Sequence, residues 1–194
     1  MESEAPAPAE AETTVVEGRA CGECTLCCKI LKIGEIGKPQ FEWCPPCAVG
    51  KGCTIFADRP QTCRTFLCSY LVSPDLGEEW KPSKARFVLT YDKGPNRISV
   101  HVDPGRIDAW RKEPYFTQIR RWGQTVARTR GQVIVWEGRS AVAVLPQGEK
   151  TLAAIPDGHL IVSAMRRTAA GAEPDVLVVH GDDPLLQARK GTPA

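Results

Sequence analysis

Cysteine is the residue type in this sequence best able to do chemistry, and it is concentrated near one end. All nine cysteines of the 194-residue chain lie between Cys21 and Cys68, and the segment CGECTLCC at residues 21–28 holds four of them. Free cysteines that merely fill a core are scattered like other small apolar residues. A set this dense therefore indicates either disulfide bonds or thiolate ligands for a soft metal.

The N-terminal segment distinguishes between these two uses. Residues 1–18 contain five glutamates and no basic residue, and they are rich in Ala and Pro. Secretory signals begin with basic residues and transit peptides are rich in arginine, so this segment matches neither, and we expect it to be a disordered tail. The sequence also has no apolar run long enough to span a membrane. We therefore predict a cytoplasmic protein in a reducing environment, where an odd number of cysteines favours metal binding over disulfides.

The spacing of the cysteines predicts the kind of metal. Cys-x-x-Cys lets a tight turn direct two sulfurs at one centre, and this spacing occurs from Cys21 to Cys27 and again at Cys44–Cys47. None of the three histidines lies in this region. A ligand set of sulfur alone predicts Zn²⁺ or an iron–sulfur cluster. Two Zn(Cys)₄ sites would use eight thiols, whereas one 4Fe–4S cluster would use four.

The cysteine pattern resembles the CxxCxxCC family of zinc- or iron-chelating proteins. The resemblance rests on CGECTLCC at residues 21–28, on GCTIF at residues 52–56 and on RPQTCRTFLC at residues 59–68. It implies metal chelation, although Phe56 stands where family members often have Tyr. On this pattern Cys44 lies outside the shared frame and is the expected spare thiol. The predicted metal ligands are Cys21, Cys24, Cys27, Cys28, Cys47, Cys53, Cys63 and Cys68.

A helix is predicted across the second half of this pattern. Asp58 is a suitable N-cap, Pro60 is tolerated in a first turn, and the helix would run to about Tyr70. Cys63 near its start would gain thiolate character from the helix dipole. Cys63 and Cys68 would then point in different directions, so sharing one metal would require the helix to end before Cys68.

The rest of the sequence predicts a small α+β body. Alternating apolar residues indicate strands at 86–91, 97–102, 132–136 and 140–145, with two further candidates at 160–164 and 176–179. A helix is expected over 113–128, with Tyr115, Ile119, Trp122 and Val126 on one face. We predict an α+β fold in which a cysteine-rich, metal-binding module packs on a mixed antiparallel sheet with one or two helices. The predicted divisions are the tail at 1–18, the cysteine region at 19–72 and the body at 73–190.

Function beyond metal binding stays open at this point. An iron–sulfur enzyme for redox or group-transfer chemistry is one alternative, because the cysteine run resembles a ferredoxin element and a flagellin lysine N-methylase has a similar cluster. A zinc-stabilised module that binds another macromolecule is the other. The segment GEIGK at residues 34–38 is too short for a phosphate loop. The basic residues around the helix at 113–128 are interpreted as a solvated face, so no nucleic-acid partner is predicted.

Overall fold

The computed structural model describes residues 14–184 and residue 186 and confirms the α+β class. The helices are α1 (Leu26–Ile30), α2 (Gln61–Thr65), α3 (Ser69–Val72), α4 (Pro82–Ala85) and α5 (Tyr115–Ala127). The strands are β1 (Cys47–Ala48), β2 (Gly52–Cys53), β3 (Phe87–Asp92), β4 (Arg97–Val102), β5 (Gln132–Glu137), β6 (Ser140–Leu145), β7 (Gly148–Leu152), β8 (His159–Thr168) and β9 (Gly171–His180). Residues 1–13, most of the predicted tail, lie outside the described residues.

A five-stranded sheet with the order β3-β4-β5-β6-β7 is the centre of the body. Its neighbours are antiparallel except β4 and β5, which run parallel with Ile98 opposite Val133. A parallel pair requires a long crossover, and α5 supplies it. The predicted bounds of β4 and β6 are confirmed, whereas β7 was not predicted because its sequence, GEKTL, has a single large apolar residue.

Helix α5 covers one face of this sheet. Ile119 on its predicted apolar face is fully buried, and Tyr115, Trp122 and Val126 pack against the same core. Gly123 allows the close approach, since a Cβ atom there would lie 2.6 Å from the Val144 carbonyl oxygen. The helix and the sheet therefore meet backbone to backbone at this point.

The opposite face of the sheet is covered by the hairpin of β8 and β9. Ile161 and Val176 from the hairpin pack on Ile134, Ala143 and Leu152 of the sheet and form a second buried cluster. Both hairpin strands are ten residues long, and so extend well beyond the predicted segments. The body is thus a three-layer structure with the sheet in the middle.

The cysteine region packs against strand β3 at the edge of the sheet. Leu26 and Ile30 of α1 and Leu71 of α3 belong to the same buried cluster as Phe87 and Val88 of β3. Lys29 of α1 also forms an ion pair of 2.6 Å with the buried Asp103 that follows β4. Apolar and ionic contacts therefore join the two regions.

Hydrogen bonds join the two ends of the cysteine region. The guanidinium of Arg19 donates to the carbonyl oxygens of Tyr70, of Ser73 at 2.8 Å and of Leu76 at 2.6 Å, and it stacks on the Tyr70 ring. Val16 N–H also donates to the Leu71 carbonyl at 2.8 Å. The segment that carries every cysteine thus starts and finishes at the same place.

Candidate metal centre

Helix α1 positions the first cysteine cluster. Its apolar residues Leu26 and Ile30 are buried, and Cys27 and Cys28 are half-buried beside them. Just before the helix, a turn is closed by the hydrogen bond from Cys24 N–H to the Cys21 carbonyl at 2.8 Å. Packing of one short amphipathic helix therefore fixes the position of this cluster.

The loop at residues 44–54 brings the second group of cysteines to the first. Cys44 N–H donates to the Cys28 carbonyl at 3.0 Å, and Cys47 and Cys53 are directly opposite each other in the β1–β2 pair. Gly52 has φ +125°, and a Cβ atom there would lie 3.1 Å from the Gly22 carbonyl oxygen. Only glycine adopts this conformation readily, so Gly52 permits the close approach of the two cysteine segments.

The predicted helix from Pro60 to Tyr70 is wrong in its length and in its cap. Helix α2 ends at Thr65, and Phe66 and Cys68 are extended before α3 begins at Ser69. Phe66 and Leu67, which lie in this extended stretch, and Tyr70 of α3 all contact the core. Cys68 consequently lies at the N-cap position of α3, and burial raises the pKa of its thiol.

The N-terminus of α2 is capped by a residue distant in sequence. Glu35 accepts hydrogen bonds from Thr62 N–H at 2.9 Å and from the Thr62 hydroxyl at 2.6 Å, and these bonds lower the pKa of Glu35. Asp58, the predicted cap, makes no side-chain cap bond to this helix. A cap supplied across 27 positions has no signal in the local sequence.

The cysteines converge on one cavity of about 290 Å³. Apolar side chains such as Leu31, Ile55, Phe56 and Phe66 form much of its remaining wall. Eight of the nine thiol-bearing residues line it, namely Cys21, Cys24, Cys27, Cys28, Cys44, Cys53, Cys63 and Cys68. The structure thus brings together seven of the eight predicted ligands and, in addition, Cys44.

Cys47, a predicted ligand, lies just behind the cavity wall. Its thiol is hydrogen-bonded to that of Cys28 and to the hydroxyl of Thr25, and Cys28 is in turn hydrogen-bonded to Cys27. The Thr25 hydroxyl also accepts from Gly50 N–H at 3.2 Å. Thr25 is therefore a site residue that sequence spacing did not identify, because its role depends on the loop that folds over it.

Several thiols of this site have raised pKa values. Burial is the largest cause that raises the pKa of Cys21, Cys44 and Cys63, and it raises the pKa of Cys47 to about 11. The hydrogen bond from Cys27 is the first cause that raises the pKa of Cys28. The predicted gain of thiolate character at Cys63 is wrong, because burial and the neighbouring Cys28 outweigh the dipole of the five-residue α2.

Two cations lie next to these thiols. Arg59 faces Cys21 across the cavity; its guanidinium stacks on the Phe56 ring at 3.9 Å and donates to the Phe56 carbonyl at 2.7 Å. Lys38 is only 2 % exposed and acts electrostatically on Cys28 and Cys44. Both cations favour the ionised form of nearby thiols, and thereby the form that binds a metal.

The donor chemistry of the site fits a soft metal, while the positions of the donors do not yet match a single ion. All nine cysteines are described and all are free thiols. Within the described residues, no three Cys, His, Asp or Glu side chains are arranged to hold one metal ion. The thiols instead surround a common volume, so rotation of side chains toward that volume would be needed for direct ligation.

The histidines lie away from this site. His101 pairs with Val88 in the sheet, its ring lies 3.3 Å from the Thr90 hydroxyl, and burial lowers its pKa to about 4. His159 and His180 pack ring against ring at the end of the β8–β9 hairpin. These surroundings agree with a structural role and leave a sulfur-only donor set at the cavity.

In the described part of the chain, no helix has both the length and the apolar character needed to cross a bilayer.

The comparisons with known proteins found no relative of this chain. No known protein family model, no curated protein and no solved structure matches the chain.

Proposed function

We propose that this protein binds iron or zinc through cysteine thiolates. The observation that carries the proposal is the placement of eight cysteines around one cavity, although they come from three separate segments of the chain. Chance burial of thiols would not gather them in this way, since free cysteines otherwise behave as scattered small apolar residues. The resemblance to the CxxCxxCC family supports the same function.

The size of the cavity favours a centre with more than one metal ion. A single Zn²⁺ is held by sulfurs about 2.3 Å from one point, whereas the thiols here surround about 290 Å³. In an iron–sulfur cluster the cysteines bind different iron atoms and surround the cluster. The cysteines that line the cavity would hold such a group, which would supply electron transfer or a structural link between the segments.

The chain's own residues would support the bound group. The Arg59 and Lys38 side chains offset the negative charge of the thiolates, and the Phe56 and Phe66 rings keep water from part of the cavity. Such a centre is stable in a reducing compartment, so we place the protein in the cytoplasm.

Metal analysis tests this function directly. Protein purified without oxygen should contain stoichiometric iron and sulfide with a brown colour, or zinc without colour. Well-folded protein that contains neither metal, and whose nine thiols all react rapidly with a thiol reagent, would contradict the proposal. Reconstitution with iron and sulfide, compared with zinc alone, then separates the two metals.

A matched pair of variants tests which thiols take part. We expect Cys44→Ser to lower the bound metal more than Cys47→Ser, because Cys44 lines the cavity and Cys47 lies behind it. The resemblance to the CxxCxxCC family makes the opposite prediction, because Cys44 lies outside its pattern and Cys47 lies within it. Metal content per folded protein, with folding checked by circular dichroism, decides between them.

A further inference from the structure

Lys38 is a buried cation in an unusual place. Its side chain is 2 % exposed, and its backbone pairs in both directions with Ile33, with N···O distances of 3.0 Å. The ammonium donates to the carbonyl oxygens of Lys29, at 2.9 Å, and of Leu31. These carbonyls are at the C-terminal end of α1, the helix that carries Cys27 and Cys28, and this end of a helix favours positive charge.

The charge of Lys38 has no carboxylate partner in the described part of the chain. None of the ion pairs there includes its ammonium. The acidic groups near enough to act electrostatically on it are the thiols of Cys44, Cys28 and Cys27 and the exposed carboxyl group of Glu42. A buried ammonium is costly unless an opposite charge compensates it, and the thiols can provide that charge only as thiolates.

We propose that Lys38 is the buried counter-ion of the thiolate centre and selectively stabilises its metal-loaded state. This inference rests on the proposed function. The carbonyl oxygens of α1 hold the ammonium in place, and loading of the cavity turns neutral thiols into the negative charge that the ammonium lacks. Lys38 is thus a positioning residue for the centre, with no role as a ligand.

A purely structural role is the competing explanation. In that case Lys38 only closes the end of α1 through its two hydrogen bonds, and its charge is irrelevant to metal binding. Lys38→Gln keeps a hydrogen-bond donor without the charge, and Lys38→Arg keeps the charge. Lys32→Gln is a matched control, because Lys32 belongs to the same region and lies at the cavity but its side chain is exposed.

Zinc affinity measured without oxygen, by competition with a chromophoric chelator, separates these roles. We expect Lys38→Gln to weaken zinc binding on the order of tenfold or more, as is typical when a supporting group beside a metal is lost. Lys38→Arg should recover most of the affinity, and Lys32→Gln should stay within about twofold of the unchanged protein. Equal affinity of Lys38→Gln and the unchanged protein would overturn the inference but not the proposed function.

Thermal unfolding provides the second readout. A counter-ion predicts that Lys38→Gln narrows the gap in Tm between the zinc-loaded and metal-free forms, whereas a structural role lowers both Tm values and leaves the gap unchanged. If the unchanged protein binds neither zinc nor iron, both the inference and the proposed function fail.

If Lys38→Gln does not fold, the unchanged protein still gives an answer. Acetylation of lysines, followed by mass spectrometry with and without zinc, compares Lys38 with Lys32. A counter-ion predicts that zinc slows acetylation of Lys38 severalfold more than that of Lys32, because a paired ammonium is less nucleophilic. Equal slowing at both lysines would overturn the inference.

Discussion

The body and the cysteine region reach their shapes by different means. Strands β3 to β6 are each six residues long, whereas β1 and β2 have two residues and α1 to α3 have four or five. Among the described residues, the twelve largest fully buried side chains include only one from the cysteine region, Ile30. The body is therefore specified by apolar burial, and the cysteine region has little of it.

This difference suggests what each region needs in order to be stable. Short helices and two-residue strands are marginal without strong tertiary contacts. In the cysteine region a few apolar side chains such as Leu26, Ile30 and Leu71 are buried, and eight cysteines line a cavity beside them. Ligation of these thiols would supply the contacts that apolar side chains supply in the body.

Removal of the metal is expected to have the largest effect, and it should destabilise the cysteine region but not the body. We expect a chelator with a reductant to remove up to about 10 kcal/mol of binding free energy, the scale of structural zinc sites. Amide hydrogen exchange should then become fast in α1 and the loop at 44–54, while β4, β5 and β6 stay protected. Restored protection on return of the metal is the control. Equal loss of protection in both regions would contradict separate stabilisation.

The affinity for metal should fall strongly as the pH is lowered. The pKa values of Cys21, Cys28, Cys44, Cys47 and Cys63 are all raised, so their thiols hold protons at neutral pH. Each thiol that becomes a ligand must release its proton, so affinity rises with pH up to these raised pKa values and falls with acidification. We expect more than about a tenfold loss of affinity per pH unit below neutrality, measured by chelator competition. Affinity that does not change with pH would exclude ligation by these thiols.

Gly123→Ala tests the body alone. The added methyl group would meet the Val144 carbonyl oxygen at 2.6 Å, so α5 must shift from the sheet, at a cost of about 1–3 kcal/mol in the free energy of unfolding. Urea unfolding measures this change. Gly34→Ala is the matched control, because a methyl group added there would meet nothing within 4 Å. Metal content should not change in either variant, and a loss of metal in Gly123→Ala would contradict the separation of the two regions.

Asp103→Asn tests the link between the regions. Burial opposes ionisation of Asp103, but the hydrogen bonds from Lys29 and from Gly105 N–H outweigh it, and the net pKa is lowered. We expect the substitution to lower the free energy of unfolding by about 1–2 kcal/mol at neutral pH. Partial exposure of Lys29 keeps this value small. Because the folded pKa is below the unfolded value, this contribution is present above about pH 4 and disappears as the pH falls through the folded pKa.

The control for this link is an exposed ion pair. Asp108 and Lys112 are both 64 % exposed, so Asp108→Asn should give no measurable change in urea unfolding. For Asp103→Asn, the difference from the unchanged protein should shrink when unfolding is repeated near pH 3. A difference that grows under acid would contradict the assigned pair.

The sequence predicted the structure of the body better than that of the cysteine region. The strands of the body were predicted within a residue or two where apolar residues alternate, as in β4 and β6, and the face of α5 followed from its period. The full lengths of β8 and β9 were missed because polar residues make up much of the strand ends that meet at the turn of the hairpin. Strand β7 was missed because most of its residues are polar. Periodicity thus located the elements whose burial is one-sided and regular.

In the cysteine region spacing identified the kind of residue but not the geometry. The helix from Pro60 ends at Thr65 with Phe66 extended, although the apolar spacing of Phe66, Leu67 and Tyr70 is compatible with a continuous helix, so the break has no signal in the local sequence. The exchange of Cys44 for Cys47 at the cavity depends on how the loop folds over Thr25. The burial of Lys38 had no sequence signal, since burial of a lysine is decided by distant chain segments.

The contacts of Arg19 have a consequence for how the cysteine region can evolve and be engineered. The guanidinium of Arg19, before the first cysteine, donates to carbonyl groups that follow the last cysteine. The segment between them is therefore a loop whose two ends are held together. Insertions between the cysteines would then lengthen an already closed ring, which adds only a small entropic penalty per doubling of length. The same joined ends make the segment a natural unit for grafting onto another sheet.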